Sequence, residues 1–405
     1  MCVLMKKAKI LLLPLFVAVL NIMILLHPAE SLAAARSGIS VWALNVVPGV
    51  LSFAILGNVL IALGAAHFLG ALFEPVMRRV FSVSGGGALP FVIGLIAGYP
   101  IGAKVVSSMR EAGEIDKTDA QRLLAVCSNA GPLFVVGAVG AGMFGSGSAG
   151  YFLLAAHYAG AFGVSLIMRL YGKSKGQQKN NMSGFAGRPR GYIAAYRAMA
   201  AARRRDGRGF GAVLGGAVMD AANTMLLVGG FIVLFSVVSA LISATPLFGA
   251  LGFETDGIFA GVFAGTIEMA GGVSKISVLG INAVTLAAAV FIISFGGVSV
   301  LCQCVNFISK TDVSSMVFVL CKIVHGFISA GIVLAAYPLF SRFFDVAPVF
   351  GAYETSVLGA AGLGRQVLLG FGMFAFVVVS VSVLMVVLGV LGVLGVLIRK
   401  KKSKV

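Results

Sequence analysis

Charge is scarce in this chain, and acid is scarcer than base. Of 405 residues, 11% are charged, with 14 Asp and Glu against 31 Lys and Arg. A soluble domain carries about a quarter charged residues, so an ordinary water-facing surface is excluded. The 5 cysteines (Cys2, Cys127, Cys302, Cys304 and Cys321) are dispersed in or beside apolar runs. Their spacing fits neither a metal site nor a disulfide framework. The sequence has no P-loop, no H-E-x-x-H and no nucleophile elbow. The stretch from Gly145 to Gly150 fits G-x-G-x-x-G, but no strand precedes it, so the match carries no dinucleotide site. Neither an enzyme nor ATP-driven transport is expected, and no cofactor is implied beyond Na⁺ or H⁺ as a coupling ion.

What fills the chain is apolar: 59% of residues are hydrophobic. Many runs reach the roughly 20 residues that cross a bilayer. The fold class expected is an all-α polytopic membrane protein with about eight transmembrane helices, at 8–27, 41–66, 119–144, 150–171, 213–244, 282–308, 314–340 and 367–398. Two further apolar pieces, 86–112 and 257–280, are too broken by Gly, Pro and charge to be simple spans. They read as re-entrant hairpins, tolerated at depth only where protein or a wet cavity surrounds them. Residues 6–35 resemble a cleavable signal peptide in layout, but a retained first helix is the preferred reading.

The net charge of +17 is explained by topology rather than by nucleic acid. Lys6, Lys7 and Lys9 precede the first span, and Arg399 to Lys402 and Lys404 follow the last. One central loop, between Arg169 and Arg208, holds most of the rest. With both termini cytoplasmic, nearly all basic residues fall inside, leaving only Arg36, Lys275, Arg342 and Arg365 outside. Residues 191–202 can also be written as a short amphipathic helix on acidic lipid.

The broken segments recur. Gly98 and Gly265, Gly131 and Gly297, and His157 and His325 are separated by a nearly constant offset. Each copy holds three crossings and one hairpin, so the second copy is inverted, an architecture common in secondary transporters. The domains expected are a first helix (1–38), a first repeat (39–172), a basic cytoplasmic linker (173–212), a second repeat (213–340) and a C-terminal helix with a basic tail (341–405).

Paired broken helices point to a transporter's binding site. Lys104, after the Gly98–Gly102 tip, is a membrane cation costing roughly 2.5–3.5 kcal/mol on lenient scales. With the helix N-terminus there it suits an anion. Glu268, the acid of the second tip, can carry a proton, help hold sodium or neutralise Lys104. Tyr99, Ser128, Asn129, Ser294, Ser299 and Gln303 supply uncharged hydrogen-bonding groups at the tip and the two breaks. His157 and His325 are proton-relay candidates, whereas Lys322 reads as a lysine snorkelling to the cytoplasmic interface. The expectation is one midplane site with Lys104 and Glu268 meeting.

His27-Pro28, Trp42 with Val47-Pro48, the Gly98-x-Pro100-x-Gly102-Ala103-Lys104 tip, Glu111 and Glu114, Asn129-x-x-Pro132-Leu133-Phe134 and Ala156-His157-Tyr158 resemble the sporulation integral membrane proteins of the YlbJ type. The resemblance covers roughly 27–340 and is most specific in 95–160. Glu268 and Ser294-Phe295-Gly296-Gly297 match by pattern. It implies the nucleoside-recognition gate superfamily, distantly related to concentrative nucleoside transporters. It also implies dipicolinic acid movement across the outer forespore membrane. Tyr99 and the Arg-rich loop are individual to this sequence. The leading expectation is a dipicolinate carrier or facilitator in the mother-cell-derived outer forespore membrane of a spore former. Its partners would be a small anionic substrate and the lipid bilayer, without nucleic acid; a homo-oligomer or a spore-envelope partner is left open. The alternatives are an ion-coupled nucleoside or small-solute carrier and a non-transporting spore-envelope scaffold.

Overall fold

A computed structural model describes residues 2–65, 68, 73, 77–172, 192–244 and 257–343, and every regular element among them is helical. The expected span at 367–398 and residues 173–191 of the basic linker lie outside the described residues.

Helix α1 (Cys2–Leu26) is followed at once by α2 (Pro28–Val41), and the axes of 14–26 and 28–44 differ by 103°. The α2 helix runs through a π-helical turn, Trp42–Val46, into α3 (Val47–Ala62). The sequence suggested separate spans at 8–27 and 41–66, but helix already fills 28–41, and the 38/39 boundary falls inside α2. Pro28 in the first turn pre-sets a helical φ, and the alanines after it are strong helix formers. Trp42 fixes this run to a later helix, its indole N–H donating to the Met225 carbonyl at 2.9 Å.

The first interrupted segment folds as α4 (Ala88–Ile96) and α5 (Ile101–Glu111). Helix α6 (Lys117–Cys127) starts on Asp116, whose side chain accepts from the Asp119 N–H, the ordinary N-cap bond. Residues 128–131 break the expected 119–144 span, and a π-helical segment, Leu133–Met143, continues it. Helix α7 (Gly147–Met168) follows, then α8 (Tyr192–Asp206) and the long α9 (Phe210–Ser243).

The second interrupted segment is α10 (Ile258–Ile267) and α11 (Met269–Ser277). Helix α12 (Ala283–Phe295) is separated by a left-handed Gly296 from α13 (Gly297–Ile308), and α14 (Ser315–Phe343) closes the described chain. Among the described residues, four helical stretches are long and apolar enough to cross a membrane: 147–168, 210–243, 283–308 and 315–342. Counting the pair bent at Pro28 as one span gives five.

Close packing comes from small residues, as expected where lipid removes the hydrophobic drive between helices. A side chain at Gly272 would strike Gly265, and one at Gly261 would strike Ile276, so α10 and α11 lie antiparallel. A side chain at Gly94 or Gly102 would strike the Cys127 carbonyl. The first hairpin therefore sits directly against the end of α6. The core between these elements contains Leu123, Leu153, Ile292, Cys304 and Phe318, all buried.

Candidate functional site

Each hairpin tip touches the break in the helix that follows it. Gly98 has φ +73°, and a Cβ there would lie 2.5 Å from the Gly131 nitrogen and 2.9 Å from the Asn129 carbonyl. The next residue donates its backbone N–H to that carbonyl at 2.6 Å. In the second half, Gly297 has φ +70°, and a Cβ there would lie 2.8 Å from the Gly265 carbonyl and 3.2 Å from the Met269 nitrogen. Only glycine combines a left-handed φ with so close a backbone approach.

The tips also meet one another. The Tyr99 hydroxyl lies 2.7 Å from the Met269 sulfur and donates to the Ile293 carbonyl at 3.0 Å. The first contact crosses from the first broken segment to the second, and the second reaches α12, the helix that ends at Gly296.

The expected Lys104–Glu268 pair does not form. Among the described residues no ion pair joins them, and both Glu268 oxygens are occupied locally. They accept the N–H groups of Ala270 and Gly271 at 3.0 and 2.6 Å. The physical reason is that α11 begins directly after Glu268, and its orphan donors take the carboxylate as an N-cap. Lys104 is half-buried on α5, which packs against α13.

The cation at the junction is Lys322. It does not snorkel: its side chain is buried, at 1% exposure. Its Nζ donates to the Ser128 carbonyl at 2.7 Å and to His325 Nδ1 at 3.0 Å, and it sits 5.8 Å from the centre of the Tyr99 ring. Lys322, His325 and Ser329 follow at helical spacing on α14 and therefore share a face.

The two histidines belong to one buried network. His325 Nε2–H donates to the His157 carbonyl at 2.8 Å, and the rings stack with centroids 4.8 Å apart. A carbonyl only accepts, so the partner assigns the His325 proton to Nε2 and leaves Nδ1 as the acceptor for Lys322. The Ala130 N–H donates to His157 Nε2 at 2.9 Å, which places the His157 proton on Nδ1, facing Ser294 Oγ at 2.7 Å. Ser294 passes its own proton toward Ser329 Oγ at 3.0 Å. The break after α6, helix α7, the end of α12 and helix α14 are thereby tied together.

The remaining polar groups stand around this network. Gln303 donates to Ser299 Oγ on α13 at 3.4 Å, and both are buried. Asn129 donates to the Val126 carbonyl at 2.5 Å, satisfying its amide nitrogen. Its side-chain oxygen, and the Ser128 hydroxyl, are buried without a hydrogen-bond partner. Both residues are fully buried, and an unmade bond there is costly. No group of three or more His, Cys, Asp or Glu suited to a metal occurs among the described residues. An apolar groove of about 500 Å³, lined by Ile24, Trp42, Leu226 and Val233, lies elsewhere, between α1, α2 and α9.

The tips and breaks marked by Gly and Pro are where the helices stop, and both histidines lie at the junction, but the buried lysine beside them is Lys322, which the sequence places at the interface. The available signal was the spacing of Lys322 and His325: three residues apart on a helix, they face the same way. An ionisable residue inside a span is a functional candidate by default.

On one face outside the spans, Arg110 at the end of α5 grips Asp312, in the turn before α14, through two bonds of 2.8 and 3.0 Å. The Arg110 guanidinium holds the Asp312 carboxyl below the usual range. Beside them the Gln121 side chain accepts from the Ser314 N–H at 2.9 Å and donates to its carbonyl at 3.1 Å.

Residues 43–149 match the Gate family model, described as nucleoside recognition. That stretch includes the first hairpin and the break it rests on. The sporulation integral membrane protein YlbJ of Bacillus subtilis (strain 168) is 33% identical over 354 residues, which cover 84% of this chain and 86% of that protein. No solved structure matches.

Proposed function

Because the chain belongs to the YlbJ family of sporulation integral membrane proteins, we propose that it carries a small organic anion, dipicolinate, across a membrane during endospore formation. One observation carries this reading. Two broken hairpins meet at a buried junction whose lysine, Lys322, is bonded to no carboxylate among the described residues. One carboxylate of a planar dicarboxylate would pair with the protonated form of this lysine.

In this reading Lys322 binds the anion with the Ser128 hydroxyl and the second N–H of the Asn129 amide. Tyr99, Ser294, Ser299 and Gln303 form the polar wall, and Glu268 shapes the second tip. His157 and His325 hold Lys322 in place, and Lys104 serves the approach along α5. Eight spans and two hairpins in an inverted repeat, distantly like a concentrative nucleoside transporter, make the framework. The equivalent contacts of Gly98 with Gly131 and of Gly265 with Gly297 support it. The distribution of basic residues supports cytoplasmic termini, and the outer forespore membrane is the proposed location.

A nucleoside carrier is the second reading, favoured by the nucleoside-recognition match over 43–149. Uptake of labelled dipicolinate and uridine into sealed vesicles, with and without Na⁺ and H⁺ gradients, separates the two. Dipicolinate entry above empty vesicles supports the first, and uridine entry alone the second. Entry of neither removes the transport reading.

A further inference from the structure

We propose that Lys322 is the proton carrier of this junction, so that a carboxylate and a proton occupy the site together. The proposal rests on the anion-carrier reading above and adds the coupling ion to it.

The geometry around the amine is the starting point. Lys322 Nζ donates two hydrogen bonds, to the Ser128 carbonyl and to His325 Nδ1. A neutral amine has two N–H bonds, and these two acceptors use both; an ammonium brings a third. His325 cannot neutralise an ammonium, because its Nε2–H is committed to the His157 carbonyl.

The titratable groups facing Lys322 from the surrounding elements are Tyr99 of the first tip, Cys304 of α13, His157 of α7, and Cys321 and His325 of its own helix. None is a carboxylate. Glu268 is spent on the α11 N-terminus. A buried ammonium without a counter-charge is strongly disfavoured, and so is a buried carboxylate without a cation. Each becomes favourable when the other is present.

A second observation points to the ligand. The Ser128 hydroxyl, on a fully buried residue whose carbonyl accepts from Lys322, has no partner. The hydroxyl can donate to a carboxylate oxygen beside the third N–H of a protonated Lys322.

The cycle then balances. With the site open to one side, the Lys322 amine takes a proton from water there as the carboxylate enters, and the ammonium donates to a carboxylate oxygen. On the other side the anion leaves and the ammonium returns its proton to water. One proton crosses with each anion: the Lys322 ammonium compensates one of its two carboxylates, so the loaded site carries one net negative charge, and the empty carrier returns with a neutral lysine.

The test is proton uptake on binding. Purified full-length protein in weakly buffered detergent at about pH 8, below the free lysine value, is titrated with dipicolinate. A pH indicator follows protons and calorimetry follows occupancy. The expected result is about one proton taken up per dipicolinate bound. Lys322→Arg, which stays charged, should bind without proton uptake, and Lys322→Met should lose at least about tenfold in affinity. Binding by the wild type without proton uptake overturns the coupling while leaving the anion reading intact. Undiminished uptake in Lys322→Arg assigns the proton elsewhere and also overturns it. No binding by the wild type removes both readings. The wild-type stoichiometry decides the matter even if Lys322→Met does not fold.

Discussion

Tyr99 and Met269 stand on different broken segments, and the Tyr99 hydroxyl lies 2.7 Å from the Met269 sulfur. The same hydroxyl donates to the Ile293 carbonyl, so one side chain ties the first tip to the second tip and to the helix ending at Gly296. Tyr99→Phe keeps the ring beside Lys322 but removes the hydrogen bond and the sulfur contact. A loss of about 1–2 kcal/mol is expected, read as a lower melting temperature in detergent together with slower dipicolinate uptake. Wild-type melting and uptake in this variant would mean that the tips are held by other contacts.

Glycine substitutions should separate strictly by what surrounds them. At Gly102 an added methyl would strike the Cys127 carbonyl, which is backbone and cannot swing aside. Gly102→Ala should leave little folded protein by size-exclusion chromatography. Gly57 lies in α3 with open space around it, and Gly57→Ala should gain roughly 0.5–1 kcal/mol from helix propensity. Equal yields and melting temperatures for the two variants would contradict the close seat of the first hairpin on α6.

His157 holds the break after α6 against the end of α12. His157→Phe preserves an aromatic ring next to His325 but leaves the buried Ala130 N–H without its acceptor. The expected cost is about 1–3 kcal/mol, and hydrogen exchange at Ala130 should speed up. Unchanged protection of that amide would show that His157 is not its partner.

The Arg110–Asp312 bridge has a definite pH signature. Asp312 titrates below its unfolded value of about 3.9. Its contribution is therefore fully present above that value and lost as pH falls through the lower folded value. The side chains are 28% and 49% exposed, so the coupling should be modest, about 0.2–1 kcal/mol. A double-mutant cycle of Arg110→Ala and Asp312→Ala should give that coupling at neutral pH and a shrinking one below about pH 4. A coupling that grew in acid would contradict the assignment.

Much of this arrangement was legible because glycine and proline mark broken helices independently of distant contacts. Gly98 with Pro100, Gly131 with Pro132, and Gly296 with Gly297 all stand where the helices stop. Long-range partners were not legible. Glu268 looked like a free acid, but its nearest donors are two residues and three residues along its own chain, and they claim it first. Lys322 looked like an interfacial lysine because its partners, Ser128 and Tyr99, come from distant sequence. The helix over 28–41 was missed because its polar residues interrupt hydropathy without interrupting helix propensity.

Dipicolinate counterflow in proteoliposomes tests the junction as an anion site most directly. Vesicles loaded with unlabelled dipicolinate are diluted into a trace of label, with wild type, Lys322→Met and, as a control, Lys310→Met, whose lysine is exposed in the turn after α13. Transient accumulation of label is expected in the wild type and in Lys310→Met, with none in Lys322→Met. Accumulation in Lys322→Met equal to wild type, or in none of the three, would contradict an anion site at Lys322.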